Sequence, residues 1–148
     1  MNLQTLSRSV ALLVLSAGLV VCESNGQSLG SLFQMAGGMD TVKKLAGQLL
    51  QSSASDPRLA GLLGKADLGA LTPKLADQMC SMLGGGCKPA VSDQQIAAGA
   101  SKLDASQTTA LGDNFSSSLT GVTDNPLVRE GMTKAIAPKL GGIIGALI

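Results

Sequence analysis

The chain has no histidine, no tryptophan and no tyrosine, and only two phenylalanines among its 148 residues. Without histidine there is no Ser-His-Asp or Cys-His catalysis, and the commonest zinc and haem-iron ligand is gone. Acid–base chemistry would fall to Asp, Glu, Lys or Cys. The carboxylates Asp67, Asp77, Asp113 and Asp124 read as solvated helix positions with no sign of convergence, so an enzyme is not expected. The lack of aromatics also leaves nothing on which nucleic-acid bases could stack. Charge is sparse too: charged residues make up 14% of the chain and the formal charge is +1. Arg8 lies in the leader, which leaves the remainder about neutral, with no basic stripe of the kind nucleic acid requires. What is plentiful is aliphatic. Hydrophobic residues reach 45%, so the core has to be built from Leu, Ile, Val, Ala and Met.

The first 24 residues read as an export signal. Arg8 precedes an apolar run from Val10 to Val21, too short to span a bilayer and of the right length for a signal core. The run ends at Cys22, and Leu19-Val20-Val21-Cys22 resembles a bacterial lipobox, although Val21 is larger than the small residue normally found there. Three outcomes stay open: lipidation of Cys22, ordinary cleavage near Ser24 or Gly26, and an uncleaved anchor. Each takes the rest of the chain out of the cytoplasm, to the periplasm or, as a lipoprotein, to the outer membrane of a bacterium. Membrane attachment is expected only if Cys22 is lipidated. Residues 25–31 form a polar tether and residues 32–148 one helical domain.

No stretch alternates as a strand does, and apolar residues recur at spacings of three and four. Residues 31–39 read as a very short helix broken by Gly37 and Gly38. Asp40 can cap a helix from Thr41 to about Ser52, with Val42, Leu45, Leu49 and Leu50 on its apolar side. Asp56-Pro57-Arg58 opens the central stretch. There Leu68, Leu71, Leu75, Met79 and Met82 share one face of a helix running from about Asp67, its cap, to Leu83. Gly84, Gly85 and Gly86 stop that helix. Ser92 or Asp93 starts a weak helix to Leu103, and Asp104 starts another to about Thr120, carrying Leu111, Phe115 and Leu119. Asn125-Pro126 opens the last helix, which Pro138 is expected to kink and Gly141 and Gly142 to weaken.

Cys80 and Cys87 bracket the glycine stop. A redox or metal site and a structural disulfide both have to be weighed. Structural metal sites want about four ligands, and there is no histidine and no second pair to supply them. The spacing is not the C-x-x-C of thiol oxidoreductases. A disulfide across the helix end is the stronger reading, and export favours it.

Four marks in order resemble group I truncated globins, in particular their exported bacterial branch. These are Leu32-Phe33-Gln34-Met35-Ala36-Gly37-Gly38, Asp56-Pro57-Arg58-Leu59, the glycine-flanked cysteine pair from Gln78 to Cys87, and Ile136-Ala137-Pro138-Lys139-Leu140 with Ile143. The resemblance implies an all-α, truncated-globin-like helical sandwich of about six helices, with a short first helix and a kinked last one. It also implies haem, but the haem-handling positions depart from the pattern. The proximal histidine falls near Ala100 or Ser101, the distal tyrosine near Leu50 and its aromatic neighbour near Leu49. The phenylalanine that wedges the porphyrin falls near Leu62 or Leu63.

With Met79, these positions are the walls of the former pocket. No cofactor is expected. Haem held through methionine (Met35, Met79, Met82 or Met132), lysine or cysteine is the alternative, in an oxygen- or nitric-oxide-binding protein. The expected function is a binding or structural module for an apolar small molecule or a protein partner. A third reading gives the apolar tail, residues 141–148, a role at a membrane, although it is too short to span one as a helix.

Overall fold

The computed structural model describes residues 32–148, so the leader, the tether and Cys22 lie outside the described residues. The described chain is all-α. It contains seven helices and no strand, an architecture compatible with a globin-like bundle. They are α1 (residues 32–36), α2 (Gly38–Ser55), α3 (Ala60–Leu63), α4 (Leu68–Met82), α5 (Asp93–Ala100), α6 (Ala105–Val122) and α7 (Pro126–Leu147).

Four of the expected starts are made by the residues that signalled them. The Asp67 carboxylate accepts from the Ala70 N–H at 3.2 Å, and the Asn125 side chain accepts from Leu127 at 3.0 Å. Ser92 with Gln95, and Asp104 with Gln107, each close a reciprocal capping box. One start differs. Asp40 does not cap a helix at Thr41, because α2 already begins at Gly38, straight after Gly37, whose φ of 108° breaks the chain away from α1. Asp40 lies instead in the first turn of α2, where its negative charge complements the helix dipole. Two further features concern helix number and length. The four-residue α3 brings the helix number to seven, against the about six expected. The last helix continues from Pro126 to Leu147 with Pro138 in its interior, as α4 continues through Pro73.

The four long helices close a ring. α2 packs on α4, α4 on α7, α7 on α6, and α6 back on α2. Inside it lie Leu45, Leu49, Leu50, Leu75, Met79, Leu111, Phe115, Leu119, Met132 and Ile136, none more than 1% exposed. Phe115 is the largest fully buried side chain, and aliphatic residues fill the space around it.

Outside the ring, α5 makes the most extensive packing of any pair, against α7. The contact is backbone on backbone. A Cβ on Gly99 would overlap the Gly142 carbonyl oxygen, and one on Gly145 would overlap the Gly99 carbonyl oxygen. One on Gly142 would stand 2.6 Å from Ile96 Cγ2. Gly142 is therefore not a weak spot in α7 but the surface that lets α5 approach.

The C-terminus of α4 closes as a Schellman motif. Gly84, at φ 76°, takes the left-handed position, Gly85 N–H donates to the Cys80 carbonyl at 2.9 Å, and Gly84 N–H donates to Ser81 at 3.3 Å. The turn carries Cys87 back to Cys80, and the two form a disulfide with a Cα–Cα distance of 5.7 Å. The Phe33 ring of α1 rests on Gly85 beside the Cys80 sulfur, so α1 is held at this corner.

Stability measurements on three variants test these contacts. In urea denaturation, Gly142→Ala should lower stability by about 1–3 kcal/mol through overpacking. Gly112→Ala, on an α6 position where an added Cβ meets nothing within 4 Å, should raise it by up to about 1 kcal/mol. Replacing Cys80 and Cys87 together by serine should cost about 2–3 kcal/mol, the entropy regained by the unfolded chain when so short a loop opens.

Candidate ligand-binding groove

The expected pocket walls divide into three groups. Leu49 and Leu50 of α2, Leu63 of α3 and Met79 of α4 are at most 1% exposed and belong to the common core. Leu62 is half-buried and packs on the edge of that core. Ala100 and Ser101 are exposed at the end of α5, because that helix turns Ile96 and Gly99 towards α7 and the next two residues face away. The Ser101 hydroxyl donates to the Ala98 carbonyl at 2.7 Å. These residues do not fit a haem. The walls are aliphatic and packed together, and the positions meant to face iron hold a methyl group and an engaged hydroxyl, both at the surface. Of the methionines considered as ligands, Met79 and Met132 are core, Met82 is half-buried and Met35 is exposed. Cys80 and Cys87 are bonded to each other. Among the described residues no cluster of three or more His, Cys, Asp or Glu could hold a metal ion.

Leu62 leads instead to an open groove at the junction of α3, α4 and α7. Its volume is about 370 Å³, and it is lined by Leu62, Lys65, Ala66, Asp67, Ala70, Leu71, Lys74, Leu147 and Ile148. Local chemistry builds it. The turn after α3 is tied by Gly64 N–H to Ala60 at 2.8 Å and by Ala66 N–H to Leu63 at 3.0 Å. Asp67 then caps α4 and sets its direction. Ala70 and Leu71 begin the wall, and Lys74 stands one turn further along α4. The last turn of α7 brings Leu147 and Ile148 across from it. Ile148 is among the few exposed large apolar residues of the described chain. Lys65 and Lys74 are exposed, and Asp67 is the one acidic side chain in the lining.

The position of α3 depends on a polar clamp. Asp56, whose side chain is only 10% exposed, accepts from the Arg58 backbone N–H at 2.9 Å and from Arg58 Nη2 at 3.0 Å. It also accepts from Asn114 Nδ2 of α6 at 3.1 Å. Arg58 Nη1 reaches on to Asp113 at 3.3 Å. The turn into α3 is thereby fastened to α6. The hydrogen bonds from the Arg58 side chain, then from its backbone N–H, hold the Asp56 carboxyl down at about 2. This clamp was not expected from the sequence, where Asp113 reads as a lone surface carboxylate. The signal available was the Asp56-Pro57-Arg58 turn itself.

The membrane-tail reading meets a packed structure. Residues 141–145 are buried, with Ile143 and Ile144 fully so, and no helix among the described residues is long and apolar enough to cross a membrane. No family model matches the chain, and neither a curated protein nor a solved structure matches it.

The clamp has a pH signature. The folded state holds Asp56 near 2, whereas an unconstrained aspartate titrates at about 3.9. Its stabilisation is therefore complete above about pH 4 and is lost as the pH falls towards 2. Asp56→Asn should flatten this part of an acid-unfolding curve measured by circular dichroism and leave the neutral-pH helical signal in place.

Proposed function

We propose that this protein is a non-enzymatic helical binding module that takes a small apolar molecule into the groove between α3, α4 and α7. The observation that carries the reading is the groove itself. Leu62, Leu147 and Ile148 leave apolar surface open to solvent above the buried Leu71, at the edge of the core. Burial of a ligand on such a surface is driven by removing apolar area from water. The aliphatic walls expected from a globin-like pocket are engaged with one another, so the ligand is placed at their outer edge, where Leu62 stands. Exported location belongs to the same proposal. It rests on the leader-like sequence up to Cys22 and is supported by the Cys80–Cys87 disulfide, a bond that persists in oxidising compartments.

The test is a titration with the neutral fluorescent probe N-phenyl-1-naphthylamine. Saturable enhancement is expected. Ala70→Trp places a large side chain in the groove from an exposed helix position, and should weaken the probe at least about tenfold, a loss of roughly 1.4 kcal/mol. Absence of saturable binding, or equal binding by the folded variant, would reject the groove as the site.

A further inference from the structure

We propose that the groove between α3, α4 and α7 takes a single-chain amphiphile with a carboxylate head, the chemistry of a free fatty acid, and that Lys74 meets the head. The inference rests on the reading of the groove given above and adds a charge at one end of the ligand. Apolar surface alone would suit a neutral hydrocarbon. Three of the nine lining residues are charged, however, in a chain that is only 14% charged. They are Lys65, Asp67 and Lys74, two cations against one anion.

The three differ in what they already bind. The Asp67 carboxylate accepts from the Ala70 N–H at 3.2 Å. Ion pairs among the described residues join Arg58 to Asp56 and Asp113, Lys134 to Glu130 and Lys139 to Asp93, and neither Lys65 nor Lys74 takes part in one. The charges are also spread unevenly. Lys65 lies two residues before Asp67, so that end of the lining is balanced. Lys74 lies seven residues after Asp67 on the same face of α4, about 10 Å further along the helix axis, and no second acidic side chain lines the groove. Ala70 and the buried Leu71 lie between the two ends. The groove therefore runs from a balanced end across apolar surface to a cationic one, which complements a molecule with a hydrocarbon body and one anionic end. Lysine stems lie along apolar surface while the ammonium stays in water, so Lys74 serves the wall and the head together. Because Lys74 is exposed, a carboxylate beside it stays hydrated and avoids the desolvation cost of a buried ion pair. The volume of about 370 Å³ lies near the small end of ligand pockets, about 300 to 1,000 Å³, which favours one chain over a two-chain lipid.

The experiment titrates the ¹⁵N-labelled protein at pH 7 and low salt and follows the amide shifts of the groove residues. The probes are sodium octanoate, 1-octanol, octyltrimethylammonium bromide and sodium acetate, which separate the charged head from the chain. Octanoate should bind saturably and at least about twofold tighter than 1-octanol, the span of an exposed ion pair reaching about fivefold. Octyltrimethylammonium should bind more weakly than either, and acetate should give no saturable shifts. Lys74→Gln should bring octanoate down to the affinity of 1-octanol. Raising sodium chloride to about 0.5 M should do the same in the parent protein, because it shortens the screening length to a few ångströms, and this arm decides the matter if Lys74→Gln does not fold. Ala70→Trp should weaken octanoate as it weakens the neutral probe. The proposal falls if 1-octanol or the cationic amphiphile binds as tightly as octanoate, if acetate binds as octanoate does, or if the preference survives both folded Lys74→Gln and high salt. Saturable N-phenyl-1-naphthylamine binding without a preference for octanoate removes the charged head and leaves the groove. Failure of all the chain-bearing probes, the neutral dye included, removes both.

Discussion

The place of α5 beside the four-helix ring depends on how closely it can approach α7. An eight-residue helix is too short to hold itself together in water, where isolated helices under about 12–15 residues are marginal. It buries only Ile96 and Gly99, so side-chain burial gives it little support. What remains is contact between two backbones. The absence of Cβ atoms at Gly99, Gly142 and Gly145 brings carbonyl, amide and Cα atoms within van der Waals range along the whole crossing. Many weak dispersion contacts then add to a usable total. α7 in turn joins α4, α5 and α6, so its glycine-containing stretch is where the ring and its outer helix meet.

The ring explains why a binding function is sought at the surface. Its interior is filled by leucines, two methionines, an isoleucine and one phenylalanine, and the few buried polar side chains of the described residues are Ser53, Gln78 and Ser118. The chemistry-bearing side chains lie outside it. Lys65, Asp67 and Lys74 border one opening, and amides and hydroxyls border another between α2 and α6. The Asp56–Arg58 clamp and the Cys80–Cys87 disulfide act at opposite ends of the α3–α4 segment. Both restrain short connections, the places where a packed core exerts least control.

Much of the helical framework was legible in the chain. The leucine and methionine spacing from Leu68 to Met82 marked α4 and its buried face, and Asp67, Ser92, Asp104 and Asn125 announced their helices because capping chemistry is local. Local rules failed where distant partners decide the outcome. Gly142 reads as a weakness until Gly99 is set against it, some forty residues away in the sequence. Asp40 looks like a cap because nothing local shows that α2 has already begun at Gly38. The groove joins Leu62 and Leu71 to Leu147 and Ile148, segments that share no pattern. Of the positions inferred from the globin-like marks, Leu62 reaches the groove, Leu49, Leu50, Leu63 and Met79 are core, and Ala100 and Ser101 stand at the surface.

A crossing made of bare backbone also shapes how the molecule breathes. Side chains at an ordinary helix interface can change rotamers one by one, so such a contact loosens by degrees. Gly99, Gly142 and Gly145 have no rotamers to change. Separation of α5 from α7 is then a single step, in which the short helix loses its support and its hydrogen bonds together. Between such events the amides that donate within α5 stay hydrogen-bonded. During one they all become open to solvent at once, with a common rate of exchange along the helix.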